Sequence, residues 1–187
     1  MNLDRVDAGR NPPEEVNVII EIPLNGEPVK YELDKDTGAM FVDRFLNTSM
    51  RYPCNYGYIP RTLAEDGDAV DIIVATPMPL IHGCVMRCRP IGLLDMIDEA
   101  GNDGKVMVVP LDSVSKFHTS IDSYEDVQPA LLDQITHFFE HYKDLEPEKW
   151  VKLGGWRDAQ AAKDEIMASI ERYEITRVRR SFNQSSS

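Results

Sequence analysis

The sequence is short of cysteine, of positive charge and of long apolar runs. Its 187 residues include three cysteines, an odd number that argues against a disulfide framework, and none stand in C-x-x-C spacing. Cys84 and Cys88 are four apart in an apparent strand, so they share a face and read as buried free thiols rather than zinc ligands. Lys and Arg number 20 against 32 Asp and Glu, a formal net charge of −12. Such a chain lacks the basic footprint of a general nucleic-acid binder, and an anionic ligand needs locally gathered cations or metal ions. No apolar run approaches the roughly 20 residues of a membrane-spanning helix, and the opening MNLDRVDAGRNPPEE has no apolar secretory core. Internal repeats are absent. With 42% hydrophobic and 28% charged residues, the chain is expected to be one soluble domain with a real core, cytoplasmic by default.

What is present is a series of short strands followed by helices. Val16, Val18, Ile20 and Ile22 alternate up to Pro23, Asn25-Gly26 marks a tight turn, and Val29–Leu33 places Lys30 and Glu32 on one face. Met40 to Arg44 reads as a third strand, and the proline-broken, aromatic segment 51–60 as a rigid loop. Strands are expected at 72–76, 85–89, 93–97 and 106–109, with a turn over 99–104. From Pro129 the period becomes helical: Leu132, Ile135, Phe139 and Tyr142 mark one face. Gly154-Gly155 reads as a break, after which Ala162, Ile166, Ile170 and Tyr173 line a second helix. The pattern is α+β, a compact β-barrel with two C-terminal helices packed outside it. A single domain is expected over 1–175, with 176–187 a basic, Ser-rich flexible tail.

The stretch with the most chemistry is Asp66-Gly67-Asp68-Ala69-Val70-Asp71. Its glycine permits a sharp turn, and converging carboxylate oxygens without sulfur suit a hard cation such as magnesium or manganese. An acidic surface turn has the same composition, so the triplet needs support elsewhere. An EF-hand is excluded: counting from Asp66 puts Val70, Asp71 and Pro77 where a ligand, the glycine and the bidentate Glu belong. Asp98 and Asp103 also fall at strand ends or turns, and Lys30, Arg44, Tyr56, Lys105, Tyr142 and Lys143 supply cations and phenols nearby in the pattern. Clustered Asp with Lys, Arg and Tyr is what phosphoryl transfer needs. Each also has an ordinary structural explanation: Lys30 with Glu32 as a solvated strand face, Asp43 with Arg44 as surface charges, and Tyr142 as core packing.

Taken together, these residues closely resemble the soluble family I inorganic pyrophosphatases in their short bacterial form. DGDAVDI at 66–72 looks like that family's signature, and EIP at 21–23, KYELDKDTG at 30–38, FVDRF at 41–45, YPCNYGYIP at 52–60, DEAGNDGK at 98–105 and HFFEHYKDLE at 137–146 follow in family order. The resemblance runs over roughly residues 15–173, and several ordered motifs are far more specific than one. It implies a small OB-like closed β-barrel with flanking helices, and hydrolysis of pyrophosphate to two orthophosphates with Mg2+ as cofactor, Mn2+ as a substitute. It further implies Asp66, Asp71 and Asp103 as ligands of the tightest magnesium, with Asp71 bridging to a second metal. Asp98 with Asp103 would serve a substrate-borne one, and Glu21 and Glu32 would hold metal-bound waters. Asp68 is the implied general base, and Lys30, Arg44, Tyr56, Tyr142 and Lys143, assisted by Lys105, hold the phosphates. Ala69 departs from the proline usual in the signature, a loosening of under about 1 kcal/mol.

Two other readings compete. His137-Phe138-Phe139-Glu140-His141 matches an inverted zinc-protease motif, but leaves the Asp cluster unexplained. The resemblance instead implies a homohexamer, with His137 and His141 at subunit contacts. An OB-type module stacking single-stranded nucleic acid on Tyr52, Tyr56 and Tyr58 is opposed by the negative charge.

Overall fold

The computed structural model describes residues 3–34 and 37–184, so Lys35 and Asp36 of the KYELDKDTG stretch lie outside the described residues. In chain order the elements are β1 (Val16–Ile22), β2 (Val29–Leu33), β3 (Met40–Phe45), β4 (Asn55–Tyr58), β5 (Asp71–Val74), β6 (Val85–Asp98), β7 (Gly101–Asn102) and β8 (Lys105–Pro110). Helix α1 (Pro129–His141), strand β9 (Val151–Arg157) and helix α2 (Ala159–Gln184) complete the chain. Strands β2 and β3 form their own antiparallel hairpin. The remaining seven build a mixed sheet in which pairings run β1–β4–β5–β8–β6 and return from β6 to β1. All are antiparallel except β5 with β8; β7 and β9 extend β6. The two helices and the mixed sheet make the fold α+β.

Side-chain alternation divides the core. Ile72, Val74, Val106 and Val108 pack in one cluster with Ala162 and Ile166 of α2. Their neighbours Ile73, Met107 and Val109 pack in another with Ile135, Phe138 and Phe139 of α1. The period of two along β5 and β8 sends successive residues to opposite faces, and each helix covers one of them. Every fully buried Ile or Phe contributes on the order of 1.5–3 kcal/mol.

Three expectations are corrected here. Segment 51–60 contains a strand, β4, buried between β1 and β5. Its prolines flank the four paired residues, and Gly57 allows the close approach: a Cβ there would lie 1.9 Å from the Ile19 carbonyl oxygen. The two strands expected at 85–89 and 93–97 are one strand. Pro90, which has no N–H to give, falls where β6 exchanges β1 (paired up to Cys88) for β9 (paired from Leu93), and a bulge follows at Pro90/Gly92. Gly154-Gly155 does not break the chain but lies inside β9. Gly154 abuts Asp95, leaving a Cβ only 2.9 Å from the Asp95 Cβ, and Gly155 turns through φ +95 at the bulge facing Asp95/Met96. Helix α2 also runs past Tyr173 to Gln184. No helix among the described residues is long and apolar enough to cross a membrane.

Candidate active site

The acidic turn is held by its own backbone. Thr62 Oγ1 donates to the Ile59 carbonyl (2.6 Å) and accepts from the Val70 N–H (3.0 Å). The Ala64 N–H donates to the Asp68 carbonyl (2.6 Å), the Asp66 carboxylate takes the Asp68 N–H (3.0 Å), and Gly67 supplies φ +97. Within this frame the Asp68 side chain stays exposed while Asp71 enters β5 opposite Tyr58.

Parallel pairing of β5 with β8 (Ile72 beside Val106) sets Asp71 next to Lys105, each opening its strand. Lys105, 1% exposed, donates from its ammonium to both Asp71 and Asp103, and the same nitrogen lies 5.8 Å from the Tyr56 ring centroid. Burial opposes the charge on Lys105, but the two carboxylates outweigh it and raise its pKa. For Asp71 burial also opposes ionisation, and Lys105 together with the Tyr56 hydroxyl more than offsets it, holding the carboxyl low. Asp103 goes the other way: burial, then the Asp71 and Asp66 charges, outweigh Lys105 and push it up to about 7.

Strand β6 and the end of α1 make a second buried pair. Lys143 Nζ donates to Asp98 Oδ2 at 2.6 Å, and Asp98 Oδ1 accepts the Ala100 N–H at 2.8 Å. Burial disfavours the Asp98 charge, but these bonds override it and hold its carboxyl below the usual range. Tyr142, at the α1 C-terminus, stacks on Phe138 with centroids 5.2 Å apart. Its burial, reinforced by the Asp103 and Asp71 charges, lifts the phenol well above its usual pKa.

The β2–β3 hairpin supplies the facing wall. Lys30 and Arg44 are register partners. Lys30 pairs with Glu32 and, at 3.3 Å, with Asp43, which Arg44 also meets at 3.1 Å. Arg44 Nε lies 3.8 Å from Glu146 Oε1, and neither buried atom has a hydrogen-bond partner. Glu21 ends its run in β1 buried, accepting the Leu33 N–H at 2.8 Å; burial and the Asp71 and Glu32 charges push it to about 8.

A cleft of about 890 Å3 brings together Glu21, Lys30, Glu32, Tyr56, Asp68 and Asp71. Lys105 ties Asp103 to its floor through Asp71, and Asp66 feels the Asp71 and Asp68 charges. Arg44, Asp98, Tyr142 and Lys143 do not line this cleft. Among the described residues no three His, Cys, Asp or Glu side chains are grouped to hold a metal ion as they stand; an ammonium sits between Asp71 and Asp103. The donor chemistry nevertheless fits a hard divalent cation. All candidate donors are oxygens, and the carboxylates of Glu21, Asp66 and Asp103 are raised in pKa by burial and mutual repulsion, a charge excess that a cation relieves.

Several cleft residues were not singled out in the sequence. Asp43 reads as a surface charge but pairs with both Lys30 and Arg44; its place in FVDRF beside Arg44 was the available signal. Tyr173, Thr176 and Arg177 of α2 also line the cleft, and only helical spacing carried past Tyr173 could have found them. His137 and His141 share a helix face with ring centroids 4.7 Å apart. They are outside the cleft, His141 pairing with Asp144 at 2.9 Å.

A protein-family model described as inorganic pyrophosphatase matches residues 18–174. The chain is 57% identical over 172 residues to an inorganic pyrophosphatase of Escherichia coli (strain K12), covering 92% of this chain and 98% of that one. It is 56% identical, with the same coverage, to an inorganic pyrophosphatase of Yersinia pestis. A crystal structure from Anaplasma phagocytophilum, described as an inorganic phosphatase, superposes with TM-score 0.89 at 48% identity, covering 90% of this chain and 99% of that chain.

Proposed function

The chain belongs to the soluble family I inorganic pyrophosphatases of the bacterial type and is an inorganic diphosphatase; from that premise we propose a metal-dependent hydrolysis with Asp68 as general base. The observation that carries this reading is the single cleft in which the exposed Asp68 faces Lys30, Tyr56 and the carboxylates of Glu21, Glu32 and Asp71. Magnesium, or manganese in its place, when bound polarises phosphate oxygens and makes a water more acidic. Asp66, Asp71 and Asp103 are the residues that would hold it, Asp98 with Asp103 would serve a substrate-borne ion, and Glu21 and Glu32 would act as outer carboxylates.

In this reading Asp68 takes the proton of the attacking water at its carboxylate. Its place at a turn, outside the Lys105 network, leaves it able to accept that proton and release it to solvent. Lys30 and Tyr56 bind one phosphoryl group within the cleft. Arg44, Tyr142 and Lys143 lie outside the lining of this cleft and are assigned to the phosphates by the family motifs that carry them, and Lys105 holds Asp71 ionised and in place. The ring of pairings β1–β4–β5–β8–β6 is read as an OB-like barrel, the assembly as a homohexamer and the compartment as the cytoplasm.

The test is orthophosphate release from pyrophosphate at neutral pH with magnesium, manganese, or excess EDTA. Release abolished by EDTA is the expected result; release that persists, or its absence with either metal from folded protein, overturns metal-dependent hydrolysis. Asp68→Asn is expected to lower kcat by about 100-fold or more and to leave magnesium affinity within about threefold. Equal losses in both would make Asp68 a ligand rather than a base.

A further inference from the structure

Helix α2 continues beyond residue 174, where the family match ends, and these turns form part of the cleft wall. Tyr173, Thr176 and Arg177 follow at i, i+3 and i+4, so one helix face presents all three. That face is aimed by two bonds to the loop carrying the acidic turn. The Leu63 N–H donates to the Ser169 carbonyl at 3.0 Å, and Arg172 Nε donates to the Leu63 carbonyl at 2.8 Å. Upstream, Ala162 and Ile166 are fully buried against the sheet. The helix is therefore fixed relative to Asp66–Asp71 rather than projecting from the domain.

Charge then decides what Arg177 is for. The cleft wall carries Glu21, Glu32, Asp34, Asp43, Asp68 and Asp71, against which Lys30 and Arg177 are its cations among the described residues. Lys30 is engaged by Glu32 and Asp43. An approaching anion meets a strongly negative mouth, and a positive charge there supplies attraction. Glu174 accepts from Arg177 Nε (3.0 Å) and Nη2 (2.7 Å), which restricts the guanidinium's rotamers without burying it; the side chain is 62% exposed.

We propose that Arg177 is a substrate-binding residue at the outer end of this cleft, contacting the pyrophosphate anion as it enters and the orthophosphate as it leaves. The inference rests on the pyrophosphatase reading for the identity of the anion. It assigns to Arg177 the binding of substrate and not the cleavage of its bond. Its signature is therefore a change in KM and its salt dependence, with kcat nearly unchanged.

The experiment compares wild type with Arg177→Gln, Arg177→Glu and Arg177→Lys in steady-state hydrolysis across a range of ionic strength. In parallel, pyrophosphate binding is measured calorimetrically with magnesium through its methylene-bridged analogue, whose P–C–P link cannot be hydrolysed. Expected are a KM raised about fivefold or more by Arg177→Gln, further by Arg177→Glu, and restored to within about twofold by Arg177→Lys, which keeps the charge. The salt slope of KM should be shallower in the Gln variant, and its affinity for pyrophosphate weaker. A KM and pyrophosphate affinity unchanged in Arg177→Gln and Arg177→Glu, with helicity and melting temperature preserved, overturn the proposal while leaving the hydrolase reading intact. If wild type hydrolyses nothing, the hydrolase reading fails and calorimetry alone decides: weaker pyrophosphate binding by Arg177→Gln supports the contact, and equal binding refutes it.

Discussion

Lys105 shows how one buried cation sets the chemistry of its neighbours. It is 1% exposed and bridges Asp71 and Asp103, yet one ammonium cannot neutralise two buried carboxylates. Asp71 is held ionised, and Asp103 is pushed up to about 7. The sign of the consequence is definite. A carboxyl whose folded pKa lies above its unfolded value binds more protons folded than unfolded, so it costs stability as pH rises from about 4 to about 7. Asp103→Asn, measured by denaturant unfolding in EDTA, should remove that decline, a gain on the order of 2–4 kcal/mol at about pH 8 relative to pH 4. A wild-type and variant pair with parallel pH profiles would contradict the assignment. Added magnesium should shrink the difference, because a cation removes the cause of the raised pKa.

At the scale of elements, the acidic turn and β4 contrast two uses of glycine. Gly67 turns through φ +97 into open space, whereas Gly57 lies in β4 with the Ile19 carbonyl where its side chain would be. Gly67→Ala meets only the backbone penalty, about 1 kcal/mol or somewhat more. Gly57→Ala must separate β1 from β4 and is expected to cost more than about 3 kcal/mol, read as loss of folded protein or a large fall in melting temperature. Similar losses in the two variants would mean that the β1–β4 contact yields more readily than its spacing implies. The acidic turn was legible because its residues are contiguous. Strand β4 was not, because Pro53 and Pro60 read as loop when the strands that sandwich it are unknown. The continuous β6 was hidden for the same reason: Pro90 forbids a ladder bond only if a partner is there to receive one, and between β1 and β9 none is.

For the whole molecule, the net charge of −12 and the carboxylate-rich cleft disfavour the nucleic-acid module. The rings of Tyr52, Tyr56 and Tyr58 are packed in the core clusters, Tyr56 and Tyr58 only bordering the cleft, so they offer no exposed stacking faces. The expected homohexamer is tested by sedimentation. His137 and His141 place two rings 4.7 Å apart on one face of α1. A wild-type hexamer that falls apart in a His137→Asp/His141→Asp double variant of unchanged helicity supports their place in an interface; the same oligomer in both removes them from it.

The sequence by itself determined the α+β class, the helix starting at Pro129, the acidic turn and the family motifs, because each is written in local periodicity or in contiguous residues. It also determined which carboxylates, lysines and phenols to watch. Only the tertiary structure decided how they meet: that Lys105 lies between Asp71 and Asp103, that Asp98 is paired with Lys143, and that α2 brings Arg177 to the same cleft as Asp68. The physical reason is that parallel pairing of β5 with β8, the covering of each core face by a helix and the bonds from α2 to Leu63 join residues far apart in the chain. Local propensity carries no information about such contacts; burial and hydrogen-bond satisfaction in the folded chain select them.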